Sequence, residues 1–218
     1  MDSVDKTRRW FLFGSIAIGV LVIAGLVYAI VAPGPGSQAN TSVTFNDDKN
    51  PAIGPADAKV TVRIYSDFQC PACRAADTPL RSIIDKYKDR VQFIWNDFPL
   101  MTIHANSINA ALAARCAQKQ DAFWDYANAL YDSQDTWENL ADPTSRFIDL
   151  ASSTRLRIDE FTTCLTLTEP KVIVQNDYNE ALEMGLNSTP TFFINKKMII
   201  GAISEDDWSK ELNQALNQ

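Results

Sequence analysis

The sequence predicts an α/β fold whose sheet is interrupted by a long helical insertion and preceded by an N-terminal transmembrane helix. Three observations carry this expectation. An apolar run at residues 60–66 leads into Cys70-Pro71-Ala72-Cys73 and a helical pattern, and a second apolar run follows at residues 91–96. Alanine-rich and aromatic stretches at helical spacing then fill residues 99–185, and strand-like runs return only at 191–195 and 198–200. Ahead of all of these, residues 10–31 carry no charge.

That uncharged stretch is about 22 residues long, or roughly 33 Å as a helix against a hydrocarbon core of about 30 Å. Lys6, Arg8 and Arg9 precede it, and no basic residue follows until Lys49. The positive-inside rule then places residues 1–9 in the cytoplasm and the chain after residue 31 outside. The rival reading is a cleaved signal peptide, with Ser37-Gln38-Ala39 as a weak cleavage site. Signal-peptide apolar regions run about 7–15 residues, so an uncleaved anchor is preferred. Either way the domain lies outside the cytoplasm, where disulfides persist. Residues 32–56, led by Pro33-Gly34-Pro35-Gly36, read as a flexible linker with a short edge strand at 42–45.

The domain proper is expected over residues 57–218. A strand at 60–66, a helix at 71–88 and a strand at 91–96 make a right-handed βαβ unit. Pro71 suits the first helical turn, whereas Pro79 is expected to kink the helix. Helices follow at 105–119, 122–133, 143–152, 159–167 and 170–185, the last stopped by Gly185. Two strands and a helix at 204–216, capped by Ser204 with Asp207, close the chain. The insertion, about 99–185, is too long for an unstructured loop.

Composition narrows the chemistry. A formal charge of −7 argues against nucleic acid as a partner, and no Gly-rich phosphate loop or dinucleotide fingerprint appears. One histidine, His104, leaves little room for His-dependent catalysis, and a cap or packing role suits it. Cys70 and Cys73 are the candidate catalytic pair. Thiols one helical turn apart can close a small disulfide ring, and the first sits where free N–H groups and the helix dipole favour a thiolate. The alternative is half of a zinc site, but a tetrahedral site needs two more close-set ligands. The other two cysteines, Cys116 and Cys164, are far apart in sequence. They read either as buried free thiols or as a structural disulfide. No metal and no cofactor is expected.

Four stretches carry a family resemblance. They are Tyr65-Ser66-Asp67-Phe68-Gln69-Cys70-Pro71; Phe98-Pro99-Leu100 leading to His104; Ala113-Ala114-Arg115-Cys116-Ala117; and Thr189-Pro190-Thr191-Phe192-Phe193. In this order around a helical insertion, they resemble the thioredoxin-like fold and specifically the membrane-anchored or secreted bacterial branch of DsbA-like thiol-disulfide oxidoreductases. The resemblance implies a cis bond before Pro190 and an extended peptide substrate beside Thr189. Many relatives carry a cysteine pair in the insertion helices, which favours a Cys116–Cys164 disulfide. Closing that loop would stabilise by roughly 3–4 kcal/mol. Phe68 is a candidate groove-lining residue or, equally, a core aromatic; Asp67 either tunes Cys70 or faces solvent.

The resemblance further implies oxidation of thiols in exported polypeptides, a membrane partner that recycles the enzyme, and a single-pass location in a bacterial cell membrane. The same site run backwards gives a reductase or isomerase, and a non-catalytic peptide- or metal-binding module is the remaining alternative. Two departures stand out. The dipeptide Pro71-Ala72 lacks the side-chain donor of Pro-His relatives, so a less oxidising site is expected. Relatives also carry a buried acid six residues before the first cysteine, where this chain has Ile64.

Overall fold

A computed structural model describes residues 45–218. The expected anchor at residues 10–31 lies outside the described residues, and among those described no helix is long and apolar enough to cross a membrane.

The sheet grows outward from β2, Val60–Ser66, whose Val60, Val62 and Ile64 are wholly buried. β3, Val91–Asp97, lies parallel to it, with Val62 opposite Phe93. The connection between them is helix α1, Pro71–Tyr87. On the other side of β2, β4 (Thr191–Ile194) runs antiparallel and is followed by β5, Lys197–Ile200. A fifth strand, β1 (Ala52–Ile53), pairs antiparallel with β3, giving the order β1-β3-β2-β4-β5.

Within the stretch read as linker, the structure places a strand at Ala52–Ile53 rather than at 42–45, of which only Phe45 is described and is not in a strand. Pro51 O accepts from Trp95 N–H at 2.9 Å, and Asp47 holds Arg63 at 2.6 Å. Gly54, at φ +101°, lets this segment approach β3 so closely that a Cβ would stand 2.2 Å from Val91 O. A two-residue strand has no periodicity to read, so polar composition hid it.

α1 runs unbroken through Pro79 and buries Cys73, Ala76, Asp77, Leu80, Ile83 and Ile84. The final helix α7, Glu205–Leu216, packs on the same sheet through Trp208 and Leu212. Its Trp208 meets Phe192 edge-on at 4.9 Å. Ser204 caps it by accepting from Asp207 N–H.

Five helices make the insertion: α2 (Ser107–Gln118), α3 (Phe123–Asp132), α4 (Thr144–Ser153), α5 (Ile158–Leu165) and α6 (Thr168–Glu183), with a 3₁₀ turn at Gln134–Thr136. α2 is the hub because Ala110, Ala113, Ala114 and Ala117 are small and wholly buried, allowing its neighbours close approach. Cys116 on α2 and Cys164 on α5 form a disulfide. Arg115, next to Cys116 and fully buried, donates to Asp97 at the end of β3 (2.6 Å) and to Asp177 on α6. Such a charge is tolerable inside only because it is paired.

Candidate active site

The chain leaves β2 at Ser66 and must turn into α1 within four residues. Asp67, 1% exposed, fixes that turn. Its Oδ1 accepts from Gln69 N–H (2.8 Å), and its Oδ2 accepts from Leu100 N–H (2.9 Å) and lies 2.7 Å from His104 Nδ1. His104 therefore pins the loop rather than facing the thiols. Gln69 reaches into the insertion, accepting from Asn106 N–H at 2.6 Å and donating to Glu138 O at 2.7 Å. Gln134 returns the tie, its Nε2 donating to Phe68 O (2.7 Å) and Cys70 O (3.3 Å). The cysteine loop is thus held from both the sheet and the insertion.

Phe68 belongs to the core. It is 1% exposed and stacks on Trp95 at 4.7 Å, with Tyr131 at 5.2 Å. The expectation that it lines a substrate groove is corrected: the turn set by Asp67 aims its ring inward, where aromatic area is best buried.

Cys70 occupies the N-cap of α1 and Cys73 lies one turn inside; both are free thiols. Pro71 and Ala72 between them are exposed. The Thr189–Pro190 bond is cis, and the Cys70 thiol donates to Thr189 O at 3.6 Å. The buried Thr189 Oγ1 has no hydrogen-bond partner. The two sulfurs experience opposite pulls. The Cys73 thiol beside it, then the nearby Thr189 side chain, which makes no close hydrogen bond, and the N–H groups of Cys73 and Ala72, bring the Cys70 pKa down to about 5 against the cost of burial. Burial, and then the neighbouring Cys70 sulfur, push Cys73 well above the ordinary thiol value.

Three further residues border the site, none of which the sequence singles out for a role there. Ser66 Oγ and Tyr131 OH are bonded at 2.8 Å. Asp77, one turn after Cys73, is buried yet paired with Arg81. Only the i, i+4 spacing of Cys73 and Asp77 hints at their shared face. Among the described residues, no cluster of three or more His, Cys, Asp or Glu is placed to hold a metal.

A strand-cysteine-helix corner, a proline loop against the sulfur and a helical insertion define a class, and comparison with known proteins agrees. The family model described as Thioredoxin (Thioredoxin_4) matches residues 46–214, and the chain belongs to that family. Within it, the chain's neighbours are DsbA-like oxidoreductases. The crystal structure of oxidised BdbD from Bacillus subtilis superposes with a TM-score of 0.70 at 26% identity, covering 79% of this chain and 96% of that one. Wolbachia pipientis alpha-DsbA1 shares the fold at a TM-score of 0.69 and 23% identity, over 77% of this chain and 91% of the other.

By sequence, "Probable disulfide bond formation protein D" of Bacillus anthracis is 28% identical over 200 residues, 89% of this chain and 90% of that protein. "Na(+)/H(+) antiporter NhaA 1" of Mycolicibacterium vanbaalenii is 31% identical over 150 residues, 68% of this chain. The matched region spans about a quarter, 24%, of the antiporter's length.

Proposed function

We propose that the chain is an extracytoplasmic thiol-disulfide oxidoreductase that introduces disulfides into exported polypeptides. The observation that carries this reading is the split between the sulfurs. Cys70 is acidic, at a helix start beside Thr189, and Cys73 is buried and held protonated. In the oxidised enzyme, a substrate thiolate attacks Cys70 Sγ, the Cys70–Cys73 bond breaks, and Cys73 takes the electron pair. A second substrate thiolate attacks the substrate sulfur of the mixed disulfide. Cys70 then departs as a thiolate, and the substrate leaves with its own disulfide. A low-pKa thiol is a good leaving group, which favours this direction.

Thr189 and Pro190 border the sulfur where an extended substrate would lie. Met101, Ile103 and Leu140 are exposed on the loops tied to Asp67 and Asn106, an apolar surface suited to unfolded chains. The uncharged residues 10–31 behind Lys6, Arg8 and Arg9 support a single-pass anchor in a bacterial cell membrane. That anchor would keep the domain near a membrane partner that re-oxidises it. The test is equilibration of the Cys70–Cys73 couple with glutathione. A potential well above the about −270 mV of thioredoxin supports oxidation of substrates, and one at or below it reverses the direction to reduction.

A further inference from the structure

Cys73 needs a proton whenever it leaves a disulfide and must lose one whenever it attacks, yet it is sealed from solvent. Behind it lies a small, largely apolar cavity of about 10 Å³, walled by Ile64, Leu80, Trp95 and Phe192, into which Ser66, Cys73, Asp77 and Tyr131 bring the polar groups. Outside the same wall an open groove of about 600 Å³ runs past Arg74, Asp132, Gln134, Asp135 and Glu138. Asp77 and Tyr131 line both spaces. Asp77 is therefore a carboxyl standing between the buried sulfur and solvent. Asp67 cannot do this, because both its oxygens are occupied by Gln69, Leu100 and His104.

We propose that Asp77 handles the proton of Cys73, exchanging it across the small cavity on one side and with the solvent groove on the other. The inference rests on the dithiol exchange assigned to Cys70 and Cys73. When a substrate thiolate opens the Cys70–Cys73 bond, Cys73 receives the electron pair and the Asp77 carboxyl gives it a proton. In the reverse step Asp77 carboxylate takes the Cys73 proton as Cys73 attacks Cys70 of a mixed disulfide. The Cys70–Cys73 bond forms and the substrate leaves as a thiolate.

The surroundings suit this exchange. Burial raises the Asp77 pKa to about 6 against the lowering pull of Arg81, with Asp132 on α3 adding to the rise. A carboxyl near 6 gives and takes protons readily around neutrality. Tyr131, whose hydroxyl holds Ser66, is pushed well above its usual value and stays neutral. Arg74, Asp135 and Glu138 line only the outer groove.

The test follows single-turnover resolution of a glutathione mixed disulfide, formed on Cys70 of the full chain, against pH. The wild type should show an inflexion near pH 6. Asp77→Asn should lose it and resolve roughly 100-fold more slowly at neutral pH, with the Cys70 alkylation profile unchanged. Asp77→Glu should keep the inflexion. Arg81→Met should move it upward without abolishing it, a response a purely structural role for Asp77 would not produce. A mixed disulfide that resolves in Asp77→Asn with the wild-type pH profile overturns the inference. Failure of any mixed disulfide to form on Cys70 overturns the exchange reading itself.

Discussion

At the scale of single residues, the two cysteines set each other's chemistry. The Cys73 thiol is the first contributor to the low Cys70 pKa, so its removal should be visible at Cys70. Iodoacetamide alkylation of the dithiol should rise through pH 5 and level off above it. Cys73→Ala should move that inflexion upward, and Cys73→Ser, which keeps a hydroxyl donor, should move it less. A Cys70 profile indifferent to both changes would refute the coupling. The depressed pKa also stabilises the dithiol fold, fully above the unfolded thiol value of about 8.5, with the effect lost as pH falls through 5. At neutral pH that gain is on the order of 2 kcal/mol, and stabilising the reduced form in this way makes the Cys70–Cys73 disulfide the stronger oxidant. Cys70, Cys73 and Pro190 were legible in the sequence because the chemistry restricts their spacing and neighbours. Tyr131, Gln134 and Asp77 were not, since a tyrosine or glutamine on a distant helix has no local pattern announcing which sulfur or carbonyl it will meet.

At the scale of elements, the junction of β3, α2 and α6 concentrates charge in the interior. Arg115 bonds Asp97 and Asp177, and Asn50, from the segment before β1, joins them at 3.0 Å. Burial raises the Asp177 pKa to about 7 despite the Arg115 guanidinium, with Asp97 nearby adding to the rise. A carboxyl raised on folding contributes stability that is complete below its unfolded value near 3.9 and is lost as pH climbs through 7. Urea unfolding between pH 4 and 7 should therefore show a declining contribution that Asp177→Asn removes. An identical slope in the variant would place the dependence elsewhere. Arg115→Met strands two buried carboxylates and should cost about 3–5 kcal/mol, read by the same unfolding curves. Helix and strand positions along α1–α7 and β2–β5 could be read from periodicity within a few residues. This junction could not, because Arg115 occupies a place in an alanine-rich pattern that predicts only a helix face, and its acids lie 18 and 62 positions away.

At the scale of the whole described domain, the helical insertion is joined to the sheet through polar ties at the active-site loop and is held together within itself by Cys116–Cys164. The insertion supplies Gln134, Asn106 and Glu138 to the loop that carries Cys70, so its integrity and the site's geometry are linked. The disulfide, however, lines a surface pocket with Lys119, Gln120, Asp159 and Thr163, and neither of its cysteines is among the groups that shift the Cys70 pKa. Its pairing was open from the sequence alone, where two cysteines 48 apart fit equally with buried thiols. Closing a loop of that length restricts the unfolded chain by about 4 kcal/mol. Cys116→Ala with Cys164→Ala should therefore lower unfolding free energy by up to that amount and reduce Tm. The Cys70 alkylation profile should stay inflected near pH 5, because the groups that lower it come from α1 and Thr189. Denaturation and alkylation measured on the same double variant separate the two outcomes. A stable variant whose Cys70 pKa had shifted would mean that the second disulfide communicates with the active site rather than bracing the insertion.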